Sequence, residues 1–368
     1  MSVYTDLGLK EVINANGKMT ILGVSAASET VAEQVKQALK AYVIIDDLID
    51  YTGKVIAEKT GAESGCPTCG AASGMAIAVA ACIAGKELTK IEQLPDSRGL
   101  ANEIILQKGQ SVNFGGNLAQ MIKVGGGIPV EVGSANKVEP EHIEGAITDR
   151  TAALFYVKSH HAVQKGMQSI ETMVQIAHNH HLPLILDAAA EEDLKRYIKL
   201  GADLVIYSGA KALSGPTSGF IAGKSDLIAA CKMQYKGIGR AMKVSKEAMV
   251  GLITALEQYD HRAMDVSRQK EEMEKVCNAL NQVKGLTCYV AQDESGREIF
   301  RAEIKVDSRI AGLTAVELER QLRMGNPAIY LRSYYSNQGL LSIDPRPLLE
   351  GQADTIIAEI KRCLNGGL

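Results

Sequence analysis

Between residues 104 and 222, short apolar runs alternate with segments of helical period. Ile104–Gln107, Ala152–Val157, Leu184–Asp187, Leu204–Tyr207 and Gly219–Ala222 are apolar throughout or up to their last position, as strands buried on both faces are, and Ile128–Val132 is expected as a further strand. Helices are expected over Leu118–Lys123, over Glu139–Ile147 with Pro140 in its first turn, and over Ser169–His178. This rhythm predicts a mostly parallel sheet with helices on both faces. Upstream, residues 1–24 hold one short strand and the turn signal Asn14-Ala-Asn-Gly17. Ser28 caps a helix with Val31, Val35, Ala38 and Leu39 on one face, and residues 41–60 continue as helix. Its apolar Val43-Ile44-Ile45 suits either a subunit contact or the core. Cys69-Gly-Ala-Ala-Ser-Gly74 opens a further helix running to about Gly85. Met75, Ile77, Val79, Cys82 and Ile83 cover all its faces, so it is expected to be buried.

After Gly223 the pattern changes. A long amphipathic helix is expected over Lys246–Leu280, then strands at Thr287–Val290, Glu298–Ile304, Ile329–Arg332 and around Leu340–Ile343. Helices are expected over Thr314–Arg323 and Asp354–Cys363. The reading is an N-terminal arm and helix (1–50), a large α/β domain (51–245) and a smaller α+β C-terminal domain (246–368).

Composition narrows the classes. The 368 residues are 46% hydrophobic and 23% charged, ordinary for a soluble globular protein. A net charge of −3 gives no general drive towards nucleic acid or acidic membranes. No signal peptide and no membrane span is visible. Seven scattered cysteines suit reduced thiols in the cytoplasm.

The chemistry gathers at strand ends. Leu204–Tyr207 stops at Ser208-Gly209-Ala210 and presents Lys211. Alone, Lys211 reads as a solvated loop residue. Asp187, however, ends the preceding strand, with one helical segment between them. A helical crossover between parallel strands puts both groups on one sheet edge. A lysine able to form a Schiff base and a carboxylate able to keep a pyridine nitrogen protonated are what pyridoxal phosphate (PLP) requires. The small-residue helix start at Gly70, Ala71 and Ala72 leaves backbone N–H groups for the phosphate, and Ser208 adds a hydroxyl. His160 and His161 follow the strand ending at Val157 and fall on the same edge. Cys66-Pro-Thr-Cys69 lacks clustered partners for zinc, and a redox role is not expected. His178, His180 and His181 end a helix and read as structural.

The order Gly-rich turn, strand-Asp, Ser-x-x-Lys resembles fold-type I PLP enzymes, with the aspartate aminotransferase-like fold. Within them, Val12-Ile-Asn-Ala-Asn-Gly17, Glu103–Gly109, Arg240–Lys246 and Asn326-Pro-Ala-Ile329 resemble the selenocysteine synthase-like branch. The resemblance covers nearly the whole chain. It implies a homodimer or an assembly of dimers, and an ammonia-lyase acting by α,β-elimination on a phosphorylated 2-amino sugar acid. No nucleic-acid or membrane partner is expected. Lys211 and Asp187 would be catalytic. Gln110, in the turn after Ile104–Gln107, would take the usual place of the ring-stacking residue, and His160 would touch the cofactor. Lys108 and His161 would face the substrate. Arg240 and Lys243 would hold its distal phosphate. Arg332, in preference to Arg346, would clamp its carboxylate. A selenocysteine synthase-like transferase on seryl-tRNA, another PLP lyase or aldolase, and a PLP-binding protein without turnover remain as alternatives.

Overall fold

The computed structural model describes residues 3–159, 161–259, 266–293 and 298–365. Its strands, in chain order, are β1 (Val12–Ala15), β2 (Ser64–Thr68), β3 (Glu103–Gln107), β4 (Ile128–Val132), β5 (Thr151–Val157), β6 (Leu184–Asp187), β7 (Leu204–Ser208), β8 (Gly219–Gly223), β9 (Leu286–Gln292), β10 (Phe300–Val306), β11 (Ala328–Leu331) and β12 (Leu340–Ile343). The chain forms two compact units, Ala27–His261 and Met1–Ala26 with Arg262–Leu368.

The larger unit is built on a seven-stranded sheet of order β2-β8-β7-β6-β5-β3-β4. Only β8 runs against its neighbours. Alternation decides which face each residue serves. Ile105, Leu154, Tyr156, Leu184, Leu186, Val205, Tyr207 and Phe220 pack into one core layer. Ile104, Leu106, Phe155, Val157, Ile185, Leu204, Ile206 and Ile221 pack into the other. The helix Ala71–Ala84 is buried along almost its whole length in that second layer, as its uniform apolarity requires.

The unit boundaries differ from those read in the sequence. The helix Glu29–Leu39 belongs with the central sheet, because it packs on the helix Lys246–Tyr259. Ser28 Oγ bonds Gln258 at 2.8 Å, and Gly251 leaves no room for a Cβ beside Val35 and Pro216. The single helix expected over 246–280 is two described helices, Lys246–Tyr259 and Val266–Leu280, which fall in different units.

The smaller unit holds β1 paired in parallel with β11, and the antiparallel sheet β12-β10-β9. An Arg332–Ser342 bridge links the two. The helices Val266–Leu280, Ala315–Met324 and Gln352–Leu364 close its core, to which β1 contributes Ile13 and Ala15. Among the described residues no helix is long and apolar enough to cross a membrane.

Candidate functional site

The parallel strands β3, β5, β6 and β7 end on one edge of the seven-stranded sheet. In register, Asp187 at the end of β6 pairs with Ile206 of β7, two residues before Ser208. Asp187 is 5% exposed. Its Oδ1 accepts a hydrogen bond from the Ala189 N–H at 3.0 Å. Burial pushes the Asp187 carboxyl up to about 6, against the Ala189 N–H and the Lys211 charge, while Glu191 adds to the rise. A carboxylate desolvated this far is suited to a cationic N–H partner, which a pyridinium provides.

Lys211 is half-buried in the turn between β7 and β8. The turn closes through Gly209 N to Ser218 O and Gly215 N to Gly209 O, both at 2.9 Å, and Ser214 N to Lys211 O at 3.2 Å. Gly209 is required there, since a Cβ would lie 2.2 Å from Ser218 Oγ and 2.9 Å from Leu252. The turn brings the start of β8 back beside Ser208.

That return bounds the candidate anion cradle. Ser208 pairs with Gly219, and Gly219 pairs with Thr68, so the three stand in one row across β7, β8 and β2. Two residues after Thr68, Gly70 caps the helix Ala71–Ala84 with extended backbone and no capping side chain. The first N–H groups of the helix are thus left without a side-chain acceptor. A Cβ at Gly70 would meet nothing within 4 Å, whereas one at Gly219 would lie 2.6 Å from the Gly70 carbonyl carbon and 2.8 Å from Ala71 N. Space opens on one side of the helix start and closes on the other. Thr68 was missed in the sequence because β2, Ser-Gly-Cys-Pro-Thr, has no β-branched run to announce a strand. Its Oγ1 bonds Gly70 O at 2.9 Å and fixes the turn.

The remaining candidates divide. After β5, Lys158 N donates to Asp187 O at 2.9 Å, which ties this loop to the site; His161 follows, exposed. His160 lies outside the described residues. After β3, Lys108 is exposed, and the adjoining Gly109 O accepts from Val163 N at 2.9 Å, joining the β3 and β5 loops. The stacking role expected of Gln110 is corrected: it is 0% exposed, and its Oε1 accepts from Val157 N at 3.0 Å. It is a buried strut between strand ends with no face to offer a ring. Arg240 and Lys243 are exposed at a short 3₁₀ segment, Ile238–Met242. Just before it, Tyr235 Oη donates to Pro67 O at 2.5 Å, anchoring the segment's start near the cradle. Arg332 and Arg346 belong to the smaller unit. Arg346 is committed to Asp344, with Nε at 2.9 Å and Nη2 at 2.8 Å. Arg332 makes no ion pair among the described residues and lies over the Tyr334 ring at 5.1 Å. In the CxxC, Cys66 is buried in β2 with its thiol pushed up to about 12 by desolvation, and Cys69 contacts Ser73 Oγ at 3.3 Å. No group of metal-binding side chains occurs among the described residues.

These residues fit PLP: a lysine in a closed turn, a buried carboxylate beside it, and an uncapped helix start with room for a phosphate. Known proteins agree. The chain is 48% identical over 98% of its length to D-glucosaminate-6-phosphate ammonia lyase of Salmonella typhimurium, covering 97% of that protein. It is 44% identical over 98% of its length to a 5′-C-glycyluridine monooxygenase-decarboxylase of Streptomyces sp., covering 92% of that protein. A solved structure of D-glucosaminate-6-phosphate ammonia-lyase superposes with TM-score 0.94 at 47% identity, over 100% of this chain and 99% of that one. Aspartate aminotransferase from Thermus thermophilus superposes with TM-score 0.55 at 14% identity, over 97% and 93% of the two chains, and shares the fold alone. The family model for L-seryl-tRNA selenium transferase matches residues 12–284. The chain is a PLP-dependent enzyme of fold type I and belongs to the L-seryl-tRNA selenium transferase family.

Proposed function

We propose that the enzyme is an ammonia-lyase converting D-glucosaminate 6-phosphate to 2-keto-3-deoxy-6-phosphogluconate and ammonia. The observation that carries this reading is 48% identity along 98% of the chain to a lyase of that name. The desolvated Asp187 and adjacent Lys211 support it, since they suit loss of a proton beside an amine.

Bound PLP supplies an electron sink for the carbon that loses its proton. Lys211 would hold the cofactor through its amine, Asp187 would hold the ring nitrogen, and Gly70, Ala71, Ala72 and Ser208 would receive the phosphate. Free of the cofactor, the Lys211 amine would accept the substrate's α-proton. The same group returns a proton to the departing β-hydroxyl, which leaves as water. Tautomerisation and hydrolysis then release ammonia and the keto acid, and the water lost is regained. Arg332 is our candidate for the substrate carboxylate, with Arg240 and Lys243 for its distal phosphate and Lys108 and His161 alongside. We take the enzyme to be cytoplasmic and to work as a homodimer or an assembly of dimers. The exposed run Tyr42, Val43, Ile44 and Ile45 supports the latter.

The test is an assay under nitrogen with D-glucosaminate 6-phosphate. Ammonia and keto acid in equal amounts are expected, because elimination uses no dioxygen and a monooxygenase does. A PLP-loaded enzyme that releases neither overturns the reading. Lys211→Ala is expected to abolish turnover.

A further inference from the structure

We propose that Cys277 and Cys288 are a dithiol that a small hydroperoxide oxidises to an internal disulfide, fastening the helix Val266–Leu280 to β9. Both cysteines lie in the smaller unit, and neither serves the reaction read from Lys211 and Asp187.

Cys277 lies in the last turn of its helix, and Cys288 is the third residue of β9. In register, Cys288 stands beside Ile304 of β10 and joins it in the core of the smaller unit. Its Sγ donates to Cys277 Sγ at 3.0 Å. Forming a disulfide brings the two sulfurs only about 1 Å closer. The approach is fixed from the chain between them. Asn281 N donates to Cys277 O at 2.9 Å, so Asn281 continues the helix end. The Asn281 side chain then brackets the Cys288 backbone. Its Nδ2 donates to Cys288 O at 2.9 Å, and its Oδ1 accepts from Cys288 N at 2.7 Å. β9 is the edge strand of its sheet, and at Cys288 this amide takes the place of a further strand.

The two thiols are unequal. The Cys288 S–H bond holds Cys277 below the usual thiol range, against burial and the Glu274 charge. Donating that bond, together with burial, raises Cys288. Cys277 is therefore the nucleophile and Cys288 the proton holder. Both are 5% exposed, in a core that includes Met273, Leu280, Leu286 and Ile304. That cover admits a small uncharged oxidant such as hydrogen peroxide and keeps out a charged disulfide such as oxidised glutathione. The Cys277 thiolate attacks one peroxide oxygen, the O–O bond breaks, and the hydroxide released takes the Cys288 proton to become water. The Cys288 thiolate then attacks the Cys277 sulfenic sulfur, forming the S–S bond and expelling hydroxide. Counting the proton that Cys277 gave up on ionising, two thiols and one peroxide give one disulfide and two waters. Each sulfur is oxidised by one electron and each peroxide oxygen reduced by one. The CxxC offers no rival pair, because Cys66 lies in one core layer of the seven-stranded sheet and Cys69 packs against the other.

The test is peptide mapping of the full-length PLP enzyme after hydrogen peroxide, with the remaining thiols alkylated in urea. A cross-link between the Cys277 and Cys288 peptides is expected, reversed by dithiothreitol, while the desolvated Cys66 stays a thiol. The cross-linked enzyme is expected to exchange amide hydrogens at least about tenfold more slowly in β9 and the last turn of the helix Val266–Leu280. Cys288→Ser keeps a donor beside Cys277 and removes the second sulfur. It is expected to stop at a sulfenic acid on Cys277, which dimedone captures. Cys277→Ser is expected to leave Cys288 a thiol. The wild-type cross-link decides the matter even where a variant fails to fold. A disulfide to Cys69 or Cys363 instead, both cysteines still reduced after peroxide, or cross-linking in urea alone overturns the proposal. A cross-link formed as fast by oxidised glutathione overturns the choice of oxidant.

Discussion

Asp187 bears a burial cost at neutral pH that a cationic partner removes. With its carboxyl raised from 3.8 to about 6 by burial, the folded chain binds this proton more tightly than the unfolded chain does. The sign follows from linkage. Below about pH 4 both states are protonated and nothing is lost. As pH rises through about 4 to 6 stability falls, and above that the full penalty, roughly 3 kcal/mol, is present in the PLP-free protein. Asp187→Asn is therefore expected to stabilise the PLP-free protein at pH 7.5 and to lose that advantage towards pH 4. Urea melts at the two pH values measure it. With PLP bound the order is expected to reverse, because the variant lacks the charge proposed to pair with the ring nitrogen. A variant no more stable at pH 7.5 than at pH 4, relative to wild type, would mean that the carboxylate is already compensated without the cofactor.

At the level of elements, the cradle depends on β8 passing tightly under the start of the helix Ala71–Ala84. Gly219→Ala would drive a Cβ into Gly70 and Ala71 backbone on a route where neither neighbour is a flexible side chain. A stability loss of about 1–3 kcal/mol is expected. PLP affinity should fall by about tenfold, while the affinity for pyridoxal, which has no phosphate, should change little. Titrating both ligands into the cofactor-free protein separates the two outcomes; an equal loss for both would detach Gly219 from the phosphate. The same region shows what was legible in the sequence. The strands β3 and β5 to β8 were readable because burial on both faces leaves continuous apolar runs, and Asp187 and Lys211 were readable as candidates because one ends such a run and the other lies in the turn after the next. β2 was not, since its glycine, cysteine and proline are chosen by close packing; Gly65 alone would set a Cβ 2.5 Å from Ile56. Gln110 misled because its position in the turn is right while its burial is a property of the closed β3 and β5 loops.

At the scale of the whole molecule, the smaller unit is assembled from both ends of the chain. β1 supplies Ile13, 3% exposed, and Ala15 to a core otherwise made of residues from 273 onward. The 235 residues of the other unit intervene before that core is reached again, so its closure couples distant parts of the sequence and carries a loop-closure cost. Ile13→Ala removes buried methyl groups between β11 and the helices above it, and a loss of about 2–4 kcal/mol is expected. Because each unit has its own core, the loss should be local. Hydrogen exchange read by mass spectrometry should show faster exchange in β10, β11, β12 and the helix Val266–Leu280. Protection in β3, β5 and β6 should be unchanged. Uniformly faster exchange through both units would show that they open together, and that the N-terminal strand stabilises the catalytic sheet as well as the unit it completes.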